Sequence, residues 1–201
     1  MIATISMALI VGAAAGARFS ESRAERVSTP VKASAVGGTA RSSLVAATTP
    51  ARRQMPIPVR ISIPEIGVNA RIVRLGLNAD HTIQVPKNVA NAGWFQPGPE
   101  PGERGAAVVV GHLDSRAGPG VFYRLHQLPV GALIKVTVQG GRTVRFVARS
   151  MIRVPKSRFP TKNVYLHTGP PALRLVTCAG KLNWATGHHR DNYIVFATLA
   201  R

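Results

Sequence analysis

Short apolar runs closed by glycine or proline recur from residue 57 to the C-terminus. Several of them, such as residues 58–64, alternate apolar and polar side chains with the period of two that a half-buried strand requires. Residues 106–112 form instead a continuous apolar run, which is typical of a strand buried on both faces. No long stretch has the period of an amphipathic helix. These patterns predict an all-β domain of about eight strands, closed or nearly closed into a barrel, with short helical turns in its loops.

The turn residues divide this domain into predicted elements. Gly140-Gly141 lies between two alternating runs and indicates a tight hairpin. Strands are predicted at 58–64, 70–77, 106–112, 133–138, 143–154, 173–178 and 193–199, with a short extended piece at 82–85. A short helical turn is predicted at 121–125, a helical turn or loop at 159–166, and a loop at 86–105 that contains Trp94.

The N-terminal part of the chain differs in composition from the rest. Residues 1–17 are almost wholly apolar or small and carry no charge, which predicts an exported protein. The segment is either a retained membrane anchor or a cleaved signal peptide, since Ala15-Gly16-Ala17 resembles a signal-peptidase site. Residues 18–56 are rich in Ser, Thr, Ala, Gly, Pro and Arg and are predicted to be a flexible basic tether. The folded domain is predicted at 57–201.

The chain is strongly basic, with 26 Lys and Arg against 8 Asp and Glu, a formal charge of +18. Such a charge favours an anionic partner: nucleic acid, anionic lipid or a cell-wall polymer. Nucleic acid is disfavoured because aromatic residues make up only 5% of the chain and the leader is apolar. A non-catalytic basic β-barrel that binds wall polymer or anionic lipid therefore remains as one hypothesis. With one cysteine and scattered histidines, no structural metal or other cofactor is expected.

Three polar residues lie at the ends of predicted apolar strands: His112, Cys178 and Arg190. Cys178 and Arg190 are expected to be neighbours, because the end of one strand and the start of its antiparallel partner share a rim. A thiolate is the nucleophilic form of cysteine, and a nearby cation favours it. An imidazolium can then protonate an amide leaving group, while an arginine holds the substrate or an oxyanion. The three residues together predict a cysteine acyl-transfer site.

Residues near this triple are weaker candidates. Thr177, Asn183 and Trp184 are candidates for binding substrate, the last two because they lie between Cys178 and Arg190. For the others the alternatives stay open: His188 and His189 either modulate the site or are exposed loop residues, and Asp114 either orients His112 or caps a loop.

The sequence Leu175-Val176-Thr177-Cys178 resembles the Leu-x-Thr-Cys strand end of sortases. Gly111-His112 and Arg190 match the other two sortase motifs in the order His, Cys, Arg, and residues 111–115 resemble the actinobacterial class F branch. The resemblance implies an eight-stranded sortase β-barrel and cleavage at a Leu-Pro-x-Thr-Gly-type sorting signal. Cys178 would form the thioacyl intermediate, His112 would be the general acid/base, and Arg190 would bind substrate and stabilise the oxyanion. Arg174 departs from the threonine that many sortases carry at the start of the cysteine motif.

The same resemblance implies the surroundings of the enzyme. Its partners would be sorting-signal peptides of secreted proteins and an amine acceptor of a peptidoglycan precursor. It would act as a monomer at the extracellular face of a Gram-positive membrane, associated through its N-terminus, without a cofactor and without nucleic acid.

Overall fold

The computed structural model describes residues 56–183, 185 and 187–201, so the predicted leader and nearly all of the predicted tether lie outside the described residues. The strands are β1 (Pro58–Ile63), β2 (Val68–Leu75), β3 (Ala92–Phe95), β4 (Ala106–Gly111), β5 (Asp114–Ser115), β6 (Gly118–Pro119), β7 (Leu133–Val138), β8 (Thr143–Pro155), β9 (Ala172–Asn183) and β10 (His188–Leu199). One short helix, α1 (Thr161–Tyr165), and 3-10 turns at Pro64–Ile66, Leu125–Gln127 and Lys156–Arg158 connect them. No helix within these described residues has the length and apolar character needed to cross a membrane.

Eight of these strands form a closed barrel in the order β1-β2-β3-β4-β9-β10-β8-β7, and β1 pairs with β7 to close it. The pairs β2–β3 and β4–β9 are parallel, while the other pairs are antiparallel. β5 and β6 form a separate two-stranded ribbon. The predicted closed eight-stranded all-β barrel with short helical turns is therefore confirmed.

Two apolar clusters lie on opposite sides of the barrel wall. Paired residues of neighbouring strands point to the same face, and Val109, Leu175 and Val195 form one row inside the barrel. The next residues along these strands, Val110, Val176 and Ile194, point outward into a second cluster that includes Val164 of α1. β4 is buried along its whole length because the barrel interior covers one face and α1 packs on the other. The continuous apolar run of this strand is therefore explained, as predicted, by the burial of both of its faces.

Two regions differ from the predicted elements. β3 lies inside the stretch predicted as a loop, where it pairs in parallel with β2. Its four residues include Gly93, where a Cβ atom would collide with Leu75, so a short glycine-containing strand fits where a longer apolar one would not. The last two strands are also longer than predicted, because β9 and β10 continue as a hairpin to Asn183 and His188, beyond Cys178.

Candidate active site

The pairing of β4 with β9 brings His112 and Cys178 to neighbouring positions. The two strands run in parallel with Val110 opposite Val176, and His112 and Cys178 each lie two residues further along. The register is held at the next position, where Thr177 Oγ1 donates a hydrogen bond of 2.9 Å to the carbonyl oxygen of Gly111. Residues separated by more than 60 positions in the chain therefore meet at one end of the barrel.

Cys178 points to the outer face of the barrel wall. It follows Val176 by two residues, and Val176 belongs to the outer apolar cluster. Its cross-strand partner on β10 is Asn192, which is also two residues from an outward-facing residue, Ile194. The site therefore continues the outer surface that α1 covers further along the same strands.

A small recess beside Cys178 opens to solvent, and the space in and above it, open solvent included, amounts to about 250 Å³. Its lining is largely apolar, with polar groups from Cys178, Thr177 and Asn192. The remaining lining residues are Val85, Pro86, Val110, Gly111 and Val176. The thiol therefore borders a mainly apolar recess.

The ring of His112 is held in place by a backbone acceptor. His112 is 8% exposed, and its Nε2 lies 2.7 Å from the carbonyl oxygen of Pro86. A carbonyl oxygen only accepts, so Nε2 carries the hydrogen and donates it. Nδ1 is then the nitrogen that can take up or release a proton. This geometry suits a general acid/base whose orientation does not depend on a carboxylate.

Glycines on both sides of the histidine make this placement possible. A Cβ atom on Gly111 would lie 2.5 Å from side-chain carbons of Val121 and Phe122. A Cβ atom on Gly120 would collide with the carbonyl oxygen of His112, which accepts a 2.9 Å hydrogen bond from Phe122 N. The Gly-His sequence thus has a packing reason, because segment 120–122 lies directly against the histidine backbone.

We expect Gly111→Ala to destabilise the domain by about 1–3 kcal/mol, since the added methyl group overpacks the contact with Phe122. The midpoint of thermal unfolding should fall by roughly 3–10 °C, as followed by circular dichroism. Gly76→Ala is the matched control, because a Cβ atom there meets nothing closer than 3.6 Å. An unchanged midpoint for Gly111→Ala would contradict the proposed packing.

The environment of the thiol acts on its pKa in opposite directions. Cys178 is 6% exposed, and this burial is the largest influence and raises the pKa of the thiol. The positive charge of Lys156 lowers the pKa, whereas the negative charge of Asp114 raises it. On balance the pKa lies above its ordinary value, so the thiol form dominates at neutral pH in the free protein.

Arg190 lies close to the thiol in the strand pairing, but it is not directly opposite. The residue paired with Cys178 is Asn192, and the pairing shifts between His189 and Asp191, where Gly180 and Lys181 of β9 lie opposite Arg190 alone. This bulge matches Gly180 on β9, whose backbone has the positive φ of 79° that favours glycine. Arg190 is exposed, whereas Asn192 is only 2% exposed. Sequence reasoning missed Asn192, because the bulge shifts the register that a simple hairpin would have.

A histidine links the two sides of the site. His189 Nδ1 donates to the carbonyl oxygen of Gly180 at 2.8 Å, and Nε2 lies 3.0 Å from Asp114 Oδ1. Both acceptors are satisfied at once when both ring nitrogens carry hydrogen. The partner of Asp114 is thus His189 rather than His112, and this contact joins β5 to the strand of Cys178.

His188 pairs with Asn183 across the hairpin. Burial together with the charge of Lys156 lowers the pKa of His188.

The other candidate residues have different positions. Thr177 is buried, and its hydroxyl is used in the hydrogen bond to Gly111 described above. Asn183 ends β9, where its carbonyl oxygen accepts a bond from Gly187 N and its side chain accepts one from Ala185 N. It therefore shapes the hairpin turn. Trp184 lies outside the described residues.

Arg174 packs α1 onto the outer face of the barrel. It is 7% exposed, its Nε donates to the carbonyl oxygen of Asn163, and its guanidinium lies 4.7 Å from the ring centre of Phe196. Burial lowers its pKa. The residue that departs from the sortase motif thus has a local structural role, away from the thiol.

The comparisons with known proteins agree on one family. A model of the sortase domain matches residues 61–200. Among solved structures, a lid mutant of sortase A from Corynebacterium diphtheriae is similar at 21% identity with a TM-score of 0.57, over 76% of this chain and 74% of that one. A sortase D5 transpeptidase from Clostridium perfringens is similar at 25% identity with a TM-score of 0.54, over 73% of this chain and 79% of that one.

Sortase C-1 from Actinomyces oris is similar at 20% identity with a TM-score of 0.55, over 71% of each chain. No curated protein sequence matches the chain. These similar structures are sortases of types A, C and D, so the class F assignment stays a prediction. The match to the sortase model covers most of the folded domain, and the barrel has the same fold as these enzymes. The chain therefore belongs to the sortase family of cysteine transpeptidases.

Proposed function

We propose that this sortase cleaves a Leu-Pro-x-Thr-Gly-type sorting signal and transfers the cleaved protein to an amine of a peptidoglycan precursor. The observation that carries the proposal is the parallel register of β4 and β9, which brings His112 to the position next to Cys178, and Cys178 lines a mainly apolar recess. A nucleophile, a general acid/base and a substrate pocket then occupy one end of the barrel.

The chemistry follows from these positions. The Cys178 proton moves to Nδ1 of His112, and the thiolate attacks the carbonyl carbon of the scissile peptide bond. The carbon–nitrogen bond breaks, and the imidazolium returns its proton to the leaving amine. An incoming amine then attacks the thioester and loses a proton to His112, the carbon–sulfur bond breaks, and the imidazolium returns that proton to the thiolate so that the thiol is regenerated. Each half-reaction leaves the numbers of protons and charges unchanged.

Arg190 and Asn192 are the groups proposed to bind the substrate backbone. Asn192 lies opposite Cys178 and lines the pocket, so its side-chain amide is a donor for the carbonyl oxygen that becomes the oxyanion. Arg190 is two residues away on the same strand and is exposed, which suits a charged group that closes on the peptide when it binds. The apolar lining of the pocket suits the leucine or proline side chain of the signal.

The class and the location belong to the same proposal. The Gly-His-Leu-Asp-Ser sequence at 111–115 favours the class F branch. The apolar residues 1–17 and the charge of +18 favour an exported enzyme at the outer face of a Gram-positive membrane, anchored or secreted, close to anionic wall polymers.

One observation favours the alternative of a non-catalytic basic barrel: burial raises the pKa of the Cys178 thiol, as it does for an inert buried cysteine. The two functions differ in what they do to a peptide. We expect the protein, incubated with a library of Leu-Pro-x-Thr-Gly peptides and a free amine, to yield the Thr–amine product and a mass shift on Cys178. Salt-sensitive binding to wall polymer, with neither cleavage nor a mass shift for any peptide, would favour the alternative.

A further inference from the structure

A lysine amine is buried without a hydrogen-bond partner among the described residues. Lys156 begins the 3-10 turn that follows β8, and its Nζ is inaccessible to solvent. Lysine amines almost always reach solvent or an acceptor, because burying an unpaired ammonium costs several kcal/mol. A buried and unpaired amine at this position therefore needs an explanation from its surroundings.

The strand pairing places this lysine across β10 from the active cysteine. Pro155, the residue before Lys156, pairs with Asp191, and Asp191 pairs on its other edge with Ala179, next to Cys178. The preceding row consists of Val154, Asn192 and Cys178, which point to the same outer face. Two strand spacings of about 4.8 Å separate β8 from β9, a span that a lysine side chain lying over β10 largely covers.

The electrostatic effects of Lys156 agree with this position. Its charge lowers the pKa of the Cys178 thiol, and it also lowers the pKa of His188 at the start of β10. The amine thus lies near both groups, and its hydrogen-bonding interaction with the sulfur also lowers the pKa of the thiol, although no acceptor meets full hydrogen-bond geometry in the thiol form. A neutral thiol is a poor partner for an ammonium, whereas a thiolate is a strong one.

We propose that the Lys156 ammonium is a further catalytic group, which pairs with the Cys178 thiolate. In the resting thiol form the amine has no charged partner. When the thiol loses its proton to Nδ1 of His112, the thiolate becomes that partner. The ion pair forms again when the amine acceptor attacks the thioester, because the thiolate is then the leaving group. Lys156 therefore assists both half-reactions, and this role presupposes the thioacyl chemistry proposed above.

Several other charged groups face the thiol from neighbouring elements, and the test must separate them from Lys156. Asp114 acts in the opposite direction, since its charge raises the pKa of the thiol. The charges that act on the pKa of Cys178 are those of Lys156 and Asp114. The other ionisable groups on the neighbouring elements are His112 after β4, His188, His189 and Arg190 of β10, and the ion pair of Arg153 on β8 with Asp191 on β10.

The test measures alkylation of Cys178 by iodoacetamide as a function of pH, together with thiolate absorbance near 240 nm. Lys156→Met keeps the length and apolar stem of the side chain and removes the charge. We expect its alkylation rate at pH 7 to fall about tenfold and the midpoint of the pH profile to rise, with the plateau rate at high pH unchanged. Lys156→Arg should recover part of the loss, and Asp114→Asn should raise the rate at pH 7.

Lys162→Met is the matched control, because Lys162 lies exposed on α1, in the same segment between β8 and β9 as Lys156. It should leave the pH profile of alkylation unchanged. Lys156→Met should unfold at the same temperature as the parent protein or higher, since it removes an unpaired buried amine. A folded Lys156→Met protein with an unchanged alkylation profile would overturn the proposal. If the profile shifts while the parent cleaves no peptide, the thiolate pair stands and the proposed peptide transfer fails.

Discussion

Cys178→Ala is expected to abolish cleavage of the sorting-signal peptide, a loss of at least about 10⁴-fold, while the domain stays folded. The described residues contain no other thiol, so no second sulfur is available to replace the nucleophile. The fold should tolerate the change, because alanine at a buried strand position removes one sulfur atom and costs about 1 kcal/mol. Cleavage is followed with a fluorescence-quenched peptide, and folding by the midpoint of thermal unfolding.

Cys178→Ser separates the size of the side chain from its chemistry. Serine keeps nearly the same volume and the same backbone pairing with Asn192, but its hydroxyl ionises far less readily than a thiol. We therefore expect Cys178→Ser to bind the peptide as the parent does and to cleave it no better than Cys178→Ala. Cleavage at the parental rate by either variant would show that the reaction does not pass through Cys178.

The barrel could be predicted from the sequence because the pattern of apolar residues in each strand shows which of its faces is buried. Alternating runs such as Pro58–Ile63 lie with one face in the core, and Ala106–Gly111 is apolar throughout because both of its faces are covered. β3 was missed for the opposite reason. A four-residue strand with Gly93 at its centre has too few side chains to show a period, and its pairing with β2 is decided by distant contacts.

The candidate site was predictable in its residue types but not in its detailed geometry. His112 and Cys178 follow apolar strands, so their meeting at one barrel end follows once those strands pair in parallel. The residue opposite Cys178 depends on the bulge that Gly180 and Lys181 form opposite Arg190, and nothing local in the sequence shows how a bulge shifts the register.

The burial of the Lys156 amine also could not be predicted from the sequence. A lysine after a proline in a basic chain looks like an exposed residue, but its amine is buried, and later residues of the same segment, Phe159, Val164 and Tyr165, pack on the outer apolar cluster. Tertiary contacts of this kind leave no periodic signal in the chain, whereas strands and turns do.

His112→Gln is expected to lower kcat/KM for an amide substrate by about 10²–10⁴-fold. Glutamine retains an N–H donor for the carbonyl oxygen of Pro86, so the side chain keeps its anchor and loses only the nitrogen that exchanges a proton. His167→Gln is the matched control, because its Nε2 also lies near a prolyl carbonyl, at 3.3 Å from Pro170 O. That histidine precedes the start of β9, at the opposite end of the strand from the hairpin turn, and its change should have no effect on cleavage.

Comparing an ester with an amide substrate distinguishes a loss of acid catalysis in His112→Gln from a loss of structure. An ester departs without the protonation that an amine requires, so the loss of rate in His112→Gln should be smaller with an ester analogue of the peptide, and the part that remains reports the transfer of the thiol proton to Nδ1. Alkylation of Cys178 should keep nearly the parental pH midpoint in this variant, because the thiolate is held by Lys156 and not by the imidazole. An equal loss with ester and amide would mean that His112 serves only to form the thiolate and does not protonate the leaving amine. A folded His112→Gln protein that cleaves the amide at the parental rate would exclude the histidine from the reaction.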